Sequence, residues 1–595
     1  MSEQNIFISG KGVVPGLSIG RAYIVQQKDI SVTKRAIDET EVPLEIQRFN
    51  IAVEKSAQQI DQVRDRIGEE YRDPGHILEA HRMMLKDDEL RKDVTKTIKS
   101  ELINAEWAID RILEKWEQIF LREENEYLNE RLNDLRFITY RLLRNMSGQD
   151  CQSFNPPVDA IVVASELSPV ETIQLGRNAI SSIVTEHGGS TSHTVIIAKA
   201  FEIPTVVSAK GILDTVKNGD LILVNGNTGE VIINPDVMRV KQHRKNMQRI
   251  YAIEQTLISE SHTKAETTDG IPISIYANID FSEESAKALS HGAEGIGLYR
   301  TEFLFLSNQK DSFSEELHYS DTINLFSGWK SGPVTIRTFD LGGDKFPIEG
   351  SFSQEANPAL GLRSIRLALK SRKLLKSQIR GILRAHCNFP DIPLKIMFPL
   401  ISCLDELSEA KDVFWECSEE LTAEGHEVPD NIEIGTMMEL PSSCMISDIL
   451  AKEADFFSIG SNDLIQYSLA VDRANDNIAY LYRPLHPGVL RMIHFCITEG
   501  KKAGIDVSIC GDMATIPIGV LILLGFGLRI FSMPPAFIPH IKKLIRSVAI
   551  SELEELALKA LNMKNHREIE ELFRTSMKNG LQEEIWSLSE EDEEI

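Results

Sequence analysis

The hydrophobic pattern first separates the N-terminal 235 residues into three stretches. Residues 1–30 carry short β-branched runs between glycines, which predicts strands and turns. Residues 31–148 are rich in Glu, Gln, Arg and Leu, and apolar residues such as Trp107, Ile109 and Ile112 recur at helical spacing, which predicts a helical bundle or a pair of helical hairpins. Residues 149–235 alternate helical stretches with four short apolar runs, at 160–164, 182–185, 205–207 and 221–224. We therefore predict one small α/β domain formed by residues 1–30 and 149–235, with the helical block 31–148 inserted into it.

A polar segment at 236–265 predicts a linker helix. After it the hydrophobic pattern changes again. Eight β-type runs follow, separated by helical or loop segments; they cover 273–278, 295–299, 334–339, 394–399, 432–436, 456–460, 506–510 and 529–533. Eight strand–helix repeats within about 250 residues indicate a (β/α)₈ barrel, which we place at 266–575. The runs are almost continuously apolar, as expected for parallel strands buried on both faces. The last segment, 576–595, predicts a solvated acidic tail that includes the run EEDEE at 590–594.

Composition narrows the possible partners and the compartment. The 595 residues include 64 Lys and Arg against 89 Asp and Glu, a formal net charge of −25, which argues against general binding to nucleic acid or anionic lipid. The seven cysteines form no C-x-x-C pair, and an odd number of them suits reduced thiols. No stretch predicts a membrane span or a signal peptide. We expect a cytoplasmic globular protein of the multidomain α/β class.

Polar residues that follow the predicted barrel strands are the first candidates for chemistry, because barrel active sites lie at the C-terminal ends of the strands. These residues are Arg300, Arg337, Glu439, Asn462, Asp463, Cys510 and Asp512. Arginine binds phosphate and carboxylate groups in bidentate fashion, and two carboxylates with an Asn amide oxygen suit Mg²⁺. Together they predict binding of a small phosphorylated acid with Mg²⁺. The alternative is a set of salt bridges that brace the barrel mouth.

A second candidate site lies at His193. A predicted strand ends in Gly188-Gly189, and a predicted helix then opens with His193. Free backbone amides at a helix N-terminus stabilise an anion, so a phosphoryl group on the His193 ring would be favoured there. A hydroxyl of Thr191, Ser192 or Thr194 could orient the other ring nitrogen. The alternative is a structural hydrogen-bond donor, and without a third ligand near His187 a metal site is not expected.

Long motifs in order along the chain resemble enzyme I of the bacterial phosphotransferase system, the phosphoenolpyruvate–protein phosphotransferase family. The resemblance runs from about residue 8 to about residue 545. Its motifs are GGSTSHT (188–194), GLYRTEFLF (297–305), RTFDLGGDK (337–345), NPALGLR (357–363), EIGTMME (433–439), FFSIGSNDLIQY (456–467), VDR (471–473) and CG (510–511). The resemblance implies a swivelling phosphohistidine domain with an inserted helical domain, followed by a barrel that binds phosphoenolpyruvate.

The resemblance also implies the reaction and the role of each site residue. His193 would take the phosphoryl group from phosphoenolpyruvate, releasing pyruvate, and pass it to a histidine of the small carrier protein HPr, the first step of the phosphotransferase system; whether sugar transport or regulation is served stays open. The substrate contacts would be Arg300, Arg337, Arg363, Arg473, Asn462 and Asp463. Glu439 and Asp463 would ligate Mg²⁺, and Cys510 would protonate the enol carbon. Family members form homodimers through the barrel, which implies a homodimer here.

The carrier protein HPr would dock on the inserted helical block. In this chain Glu69, Glu70 and Glu79, beside Ile77, Met83, Met84 and Leu85, would form an acidic and apolar docking face. For any one of those acids, a solvated helix edge is as good an interpretation.

Three departures from the family pattern are visible. Ser190 stands where a basic residue is common in the family. The segment DMATIP at 512–517 has Asp512 where the family usually has Glu, and it lacks the Asp that usually follows downstream. The acidic tail extends past the usual end. The altered segment leaves one alternative function open, a mainly regulatory phosphorylation relay that senses phosphoenolpyruvate and turns over poorly. A pyruvate phosphate dikinase or phosphoenolpyruvate synthase is not expected, because residues 31–148 predict helices rather than the large nucleotide-binding domain that those enzymes need.

Overall fold

The computed structural model describes most of the chain, as two compact units, Met1–Tyr251 and Ala252–Ile595. The residues described are 5–25, 32–64, 78, 81–120, 126–147, 156–176, 180–189, 193–201, 203–302, 304, 314–329, 332–342, 357–473, 475 and 478–576. Within them, no helix is long and apolar enough to cross a membrane. The domain boundaries given above stay predictions.

The first unit contains an eight-stranded mixed sheet. Its strands are β1 (Ile6–Ser9), β2 (Lys11–Val14), β3 (Leu17–Val25), β4 (Ala160–Ala164), β5 (Ser182–Thr185), β6 (Thr205–Val207), β7 (Leu221–Asn225) and β8 (Glu230–Ile233). They lie in the order β1-β8-β7-β3-β4-β5-β6-β2. The strands from β3 to β6 are parallel to one another, and the remaining pairings are antiparallel. All four apolar runs that the sequence predicted between 160 and 224 are strands of this sheet.

The helical block predicted between β3 and β4 is also present, so the helical interpretation of that stretch is confirmed. Phe49, Val94 and Ile98 are fully buried in a core that the helices share. The helices of this unit are Val42–Arg64, Asp88–Glu101, Ala105–Phe120, Glu126–Met146, Pro169–Gly176, His193–Ala200 and Ile212–Thr215, and a further helix, Val237–Glu260, starts in the predicted linker.

One part of the predicted docking face is wrong. Leu85 is fully buried in the core of the helical block, because its helical spacing places it on the inner side with Leu78 and Val94. Met83, by contrast, is exposed to 37% and is available to a partner. Glu69, Glu70, Ile77 and Glu79 lie outside the described residues.

The second unit is a closed barrel of eight parallel strands, which confirms the (β/α)₈ prediction. The strands are β10 (Pro272–Ile279), β11 (Ile296–Arg300), β12 (Val334–Arg337), β13 (Leu394–Phe398), β14 (Glu433–Met438), β15 (Phe456–Ile459), β16 (Asp506–Ile509) and β17 (Ile530–Met533). β10 pairs with both β11 and β17, which closes the barrel, and the short β9 (Ala265–Glu266) adds to β10 in antiparallel fashion. All polar residues that follow these strands therefore meet at one rim.

Helices cover the outside of the barrel and bury the apolar outer faces of its strands. The α-helices are Glu284–Ser290, Glu315–Gly328, Ser364–Lys370, Arg372–His386, Leu404–Ala423, Pro441–Met445, Ser447–Leu450, Ser461–Leu469, Pro487–Ala503, Pro517–Gly525, Ile538–Arg546, Ile550–Ala560 and His566–Ser576. Short 3₁₀ turns occupy Pro358–Leu360, Ala479–Leu481, Asp512–Ala514 and Pro535–Phe537. Inside the barrel, Leu298, Met397, Met437, Phe456 and Cys510 form a small separate cluster.

Candidate active site at the barrel rim

The barrel places every rim residue predicted from its strands at the C-terminal ends. Arg300 and Arg337 are the last residues of β11 and β12 and lie opposite each other in the strand register. Glu439 follows β14, and Cys510 follows β16. Asn462 and Asp463 lie in the first turn of the helix Ser461–Leu469, which follows β15.

Arg337 is a buried cation surrounded by acidic groups, with only 8% of its surface exposed. Its Nη2 donates to Glu302 Oε1 at 2.9 Å, and its Nη1 lies 3.8 Å from Asp340 Oδ2. Burial by itself would lower the pKa of Arg337, but Glu302, Asp340 and Glu439 outweigh it and raise that pKa. The guanidinium therefore stays charged inside the barrel mouth. Its Nε is buried without a hydrogen-bond partner, which leaves a donor for a ligand.

Arg363 shares the carboxylate of Asp340 and comes from the segment after β12. Its Nη2 lies 2.8 Å from both Asp340 oxygens, and its Nη1 donates to Tyr467 Oη at 3.2 Å. Burial opposes a charged Arg363, yet Asp340 raises its pKa above the ordinary value. The structure thus brings Arg363, which only the family resemblance had suggested, into the same cluster as Arg337.

Glu439 is the most constrained acid of the rim, with 1% of its surface exposed. Its Oε1 accepts the Leu400 N–H at 2.6 Å, and Leu400 holds a left-handed backbone with φ of 55°. Its Oε2 is buried and has no hydrogen-bond partner. Burial, followed by the nearby carboxylates of Asp463 and Asp340, raises the pKa of Glu439 well above its usual range.

The pair of acids formed by Glu439 and Asp463 fits a divalent cation. A buried carboxylate oxygen without a partner, next to a second carboxylate, is an arrangement that a cation would relieve. Among the described residues, no group of three His, Cys, Asp or Glu side chains forms a candidate metal site. Two protein carboxylates match the usual coordination of Mg²⁺, which takes its remaining ligands from water and substrate oxygens.

Asp463, Arg473 and Asn462 occupy the neighbouring part of the rim. Arg473 Nη2 lies 4.0 Å from Asp463 Oδ1, and 47% of the Arg473 side chain is exposed. Asn462 Oδ1 accepts the Asp512 N–H at 2.8 Å. The amide oxygen of Asn462 is therefore used to fix the segment after β16, the same segment that departs from the family pattern.

Cys510 lies at the floor of the mouth, with 3% of its surface exposed. Its Sγ accepts a hydrogen bond from Ser458 Oγ at 3.3 Å. Burial raises the pKa of the Cys510 thiol, although Ser458, Arg337 and Arg300 act in the opposite direction. The backbone here is fixed by Asn278, whose Nδ2 donates to Cys510 O at 2.9 Å and whose Oδ1 accepts from Ser532 Oγ at 2.6 Å.

His193 begins the helix His193–Ala200, as the sequence predicted. Thr194 Oγ1 donates to Leu167 O at 2.9 Å, which ties this helix start to the loop after β4. That bond uses the hydroxyl proton of Thr194, one of the three hydroxyls considered for orienting His193. The other two, on Thr191 and Ser192, lie with Ser190 outside the described residues.

Sequence reasoning missed the acids that hold the rim arginines. Asp280, Glu302 and Asp340 stand one, two and three residues after β10, β11 and β12 respectively. Each pairs with a rim arginine, Asp280 with Arg300, Glu302 with Arg337, and Asp340 with Arg363. The strand-end rule that identified the arginines would also have found these acids.

The whole chain is similar to phosphoenolpyruvate-utilising proteins. Family models described as PEP-utilising enzyme match in three parts, the N-terminal part at residues 9–131, the mobile domain at 156–229 and the PEP-binding domain at 255–550. The phosphoenolpyruvate-protein phosphotransferase of Priestia megaterium is 36% identical over 577 residues, which cover 96% of this chain and 99% of that protein. The chain belongs to the phosphoenolpyruvate-protein phosphotransferase family.

A second curated relative agrees with this family. The phosphoenolpyruvate-protein phosphotransferase of Bacillus subtilis (strain 168) is 36% identical over 568 residues, 94% of this chain and 98% of that protein. A solution structure of an Enzyme I protein, 31% identical, covers 41% of this chain and 99% of its own length with a TM-score of 0.35. Membership in the phosphoenolpyruvate-protein phosphotransferase family makes the chain a transferase.

Proposed function

We propose that the chain transfers the phosphoryl group of phosphoenolpyruvate to its own His193, releases pyruvate, and then passes the group to a histidine of the carrier protein HPr. The observation that carries the proposal is the barrel rim, where Arg337 lies near the buried carboxylate of Glu439 and shares the carboxylate of Asp340 with Arg363. Family membership supplies the donor and the carrier. The six described cysteines are all free thiols, which suits the cytoplasm, where we place the reaction.

The rim arginines are suited to hold a substrate with several negative charges. Phosphoenolpyruvate carries a phosphate and a carboxylate, and guanidinium groups form paired hydrogen bonds with both. We assign Arg300, Arg337, Arg363 and Arg473 to these contacts, with Asn462 and Asp463 beside them. The carboxylates that now pair with the arginines keep the cations in place without a substrate, so the mouth needs little rearrangement when an anion enters.

Mg²⁺ would be held by Glu439 and Asp463. Bound there, it would draw charge from the oxygens of the phosphoryl group during transfer. The unpartnered Oε2 of Glu439 supports this assignment, because a carboxylate oxygen buried without a donor is costly to the fold unless a ligand uses it. The backbone N–H of Leu400 donates a hydrogen bond to the other carboxylate oxygen of Glu439, Oε1, and holds it in position.

The chain supplies the nucleophile and the final proton. A ring nitrogen of neutral His193 forms a bond to phosphorus, and the bond between phosphorus and the enol oxygen breaks. The electron pair of that bond remains on the enolate, whose carbon then takes a proton from Cys510 Sγ to give pyruvate. The raised pKa of Cys510 keeps its thiol protonated at neutral pH and so available as the donor.

The proposal is tested with phosphoenolpyruvate labelled in the phosphoryl group, together with Mg²⁺, followed by mapping of the labelled peptide. We expect an acid-labile label on the peptide that contains His193, and its loss in His193→Ala. His187→Ala is the matched control, because His187 is an exposed histidine six residues upstream and should leave the labelling unchanged. Label on a different residue, or none on folded wild-type chain, would contradict the proposal.

The proposed function also includes the docking site of the carrier protein and the oligomeric state of the chain. We propose that HPr docks on the helical block 31–148, where Met83 is exposed, and that the chain dimerises through the barrel. Transfer of label from the phosphorylated chain to HPr tests the first point, and sedimentation of the intact chain tests the second. Met83→Lys should weaken transfer to HPr while self-phosphorylation stays unchanged.

A further inference from the structure

The acid Asp280 faces the rim arginine Arg300. Asp280 is the first residue after β10 and Arg300 is the last residue of β11, and these parallel strands pair with Ile279 opposite Tyr299. One residue further on, Asp280 Oδ1 accepts from Arg300 Nη1 at 3.2 Å. The two side chains are partly exposed, 33% for Asp280 and 35% for Arg300, so both border the open mouth of the barrel.

Arg300 needs an acidic partner because a second arginine, Arg337, lies beside it. Arg337 lies opposite Arg300 in the pairing of β11 and β12, and the two guanidinium groups repel each other. Arg337 is held in place by Glu302 and Asp340, which follow β11 and β12. Asp280, which follows β10, contributes more than any other group to the raised pKa of Arg300.

A second acid holds Asp280 itself. Glu284 is the first residue of the helix Glu284–Ser290, and its Oε2 accepts the Asp280 N–H at 2.7 Å and the Phe281 N–H at 3.3 Å. The turn between β10 and that helix is therefore fixed by one carboxylate oxygen. This fixes the direction in which the Asp280 side chain leaves the backbone.

We propose that Asp280, fixed by Glu284, is a positioning residue that holds the Arg300 guanidinium ready for the anionic substrate. The inference rests on the proposed function, in which Arg300 contacts phosphoenolpyruvate. Asp280 occupies one of the five N–H donors of the guanidinium, so the others can receive a phosphate or carboxylate oxygen. Without Asp280, repulsion from Arg337 displaces Arg300, and ordering it again weakens substrate binding.

The test is a double-mutant cycle on the full-length chain, with phosphoenolpyruvate as the probe. Its binding is measured in a His193→Ala background, which cannot take the phosphoryl group, and KM and kcat are measured with His193 intact. We expect Asp280→Ala to weaken binding and to raise KM by roughly tenfold, with a smaller change in kcat. In an Arg300→Ala background, the same substitution should have no further effect on either quantity.

Two further variants guard against a purely structural effect. Asp280→Asn retains an oxygen that can accept from Arg300 and should lie between wild type and Asp280→Ala. Asp269→Asn is the matched control, because Asp269 accepts the Ile550 and Ser551 N–H groups at the opposite end of the barrel. It should change neither binding nor KM.

The possible failures can be separated. Equal effects of Asp280→Ala with and without Arg300 would overturn the positioning role and leave the proposed function intact. A wild-type chain that neither binds phosphoenolpyruvate nor becomes phosphorylated would overturn the proposed function, and the positioning role with it.

Discussion

The two ends of the barrel use charge in different ways. At the N-terminal end, Lys395 on β13 lies 2.7 Å from Glu433 and 3.5 Å from Asp506, and its Nζ stands 5.1 Å from the centre of the Phe456 ring. Both acids are substantially exposed, at 43% and 63% of their side chains. This cation is satisfied, and water screens the excess negative charge.

At the C-terminal rim, like charges lie close together instead, and some of them are buried. Glu439 lies near Asp463 and Asp340, one of its oxygens has no partner, and Arg300 faces Arg337. Such an arrangement costs stability in the free protein and becomes favourable when a cation and an anion bind. We infer that one end of the barrel maintains the fold, while the other is arranged to bind a ligand.

The largest effect is expected from a substitution of Glu439, which tests the contrast between the two ends of the barrel. Glu439→Gln should lower kcat/KM by about 10⁴, because a carboxylate of the proposed divalent-cation site is lost. In metal-free buffer the same variant should be more stable by about 1 kcal/mol, because the cost of burying an ionisable acid beside other carboxylates is removed while an acceptor for Leu400 N–H remains. Chemical denaturation and steady-state kinetics measure the two effects. A loss of stability would contradict the contrast between the two ends.

The next largest effect is expected for Arg337→Lys. A lysine carries the charge but cannot form the forked hydrogen bonds, and kcat/KM should fall by about 10³. The matched control is Arg380→Lys on the barrel exterior, where Arg380 pairs with Glu315 and Glu424. Its kinetics should equal those of wild type, and a comparable loss there would show that the effect is not specific to the rim.

Cys510→Ser tests the C-terminal rim through the pH dependence of kcat. We expect kcat to fall by about 10², because a hydroxyl is a poorer acid than a thiol. The raised pKa keeps the wild-type thiol protonated to a pH above the ordinary range of a cysteine, so the alkaline fall of kcat should begin above that range. In Cys510→Ser this part of the pH profile should vanish. Cys387→Ser, at a site away from the rim, serves as the control.

The smallest effect belongs to the N-terminal end. Lys395→Met should leave kcat/KM unchanged and lower the free energy of unfolding by about 1 kcal/mol, because Glu433 and Asp506 lose their shared cation in a partly screened setting. Thermal and urea denaturation of the intact chain measure the second quantity. A substantial loss of activity would mean that this end also takes part in catalysis.

Sequence reasoning predicted the barrel well because each strand carries its own signal. All eight apolar runs became barrel strands, and Arg300, Glu439 and Cys510 fell at the rim because strand ends fix them without knowledge of packing. The inserted helical block was equally visible in its composition. Leu85 was misjudged, because deciding which side of a helix faces a neighbour requires the neighbour itself.

The electrostatic partners were harder to predict. Asp280 and Arg300 are twenty residues apart in sequence, and their contact depends on the register of β10 and β11. The support of Glu439 by Leu400 depends on a left-handed backbone that nothing in the local residue types announces. Single residues could be assigned to the rim from the sequence, but their hydrogen bonds are properties of the assembled barrel.

The bonds of Asn278 have a consequence for how the protein is made. Asn278, on the first barrel strand, accepts from Ser532 on the last strand and donates to the backbone of Cys510. Ser532 leaves the ribosome 254 residues after Asn278, so the first strand stays without its closing neighbour for most of the synthesis of this unit. The proposed proton donor is thus fixed only when the last strand arrives, and a nascent chain cut short before that strand would lack the finished site.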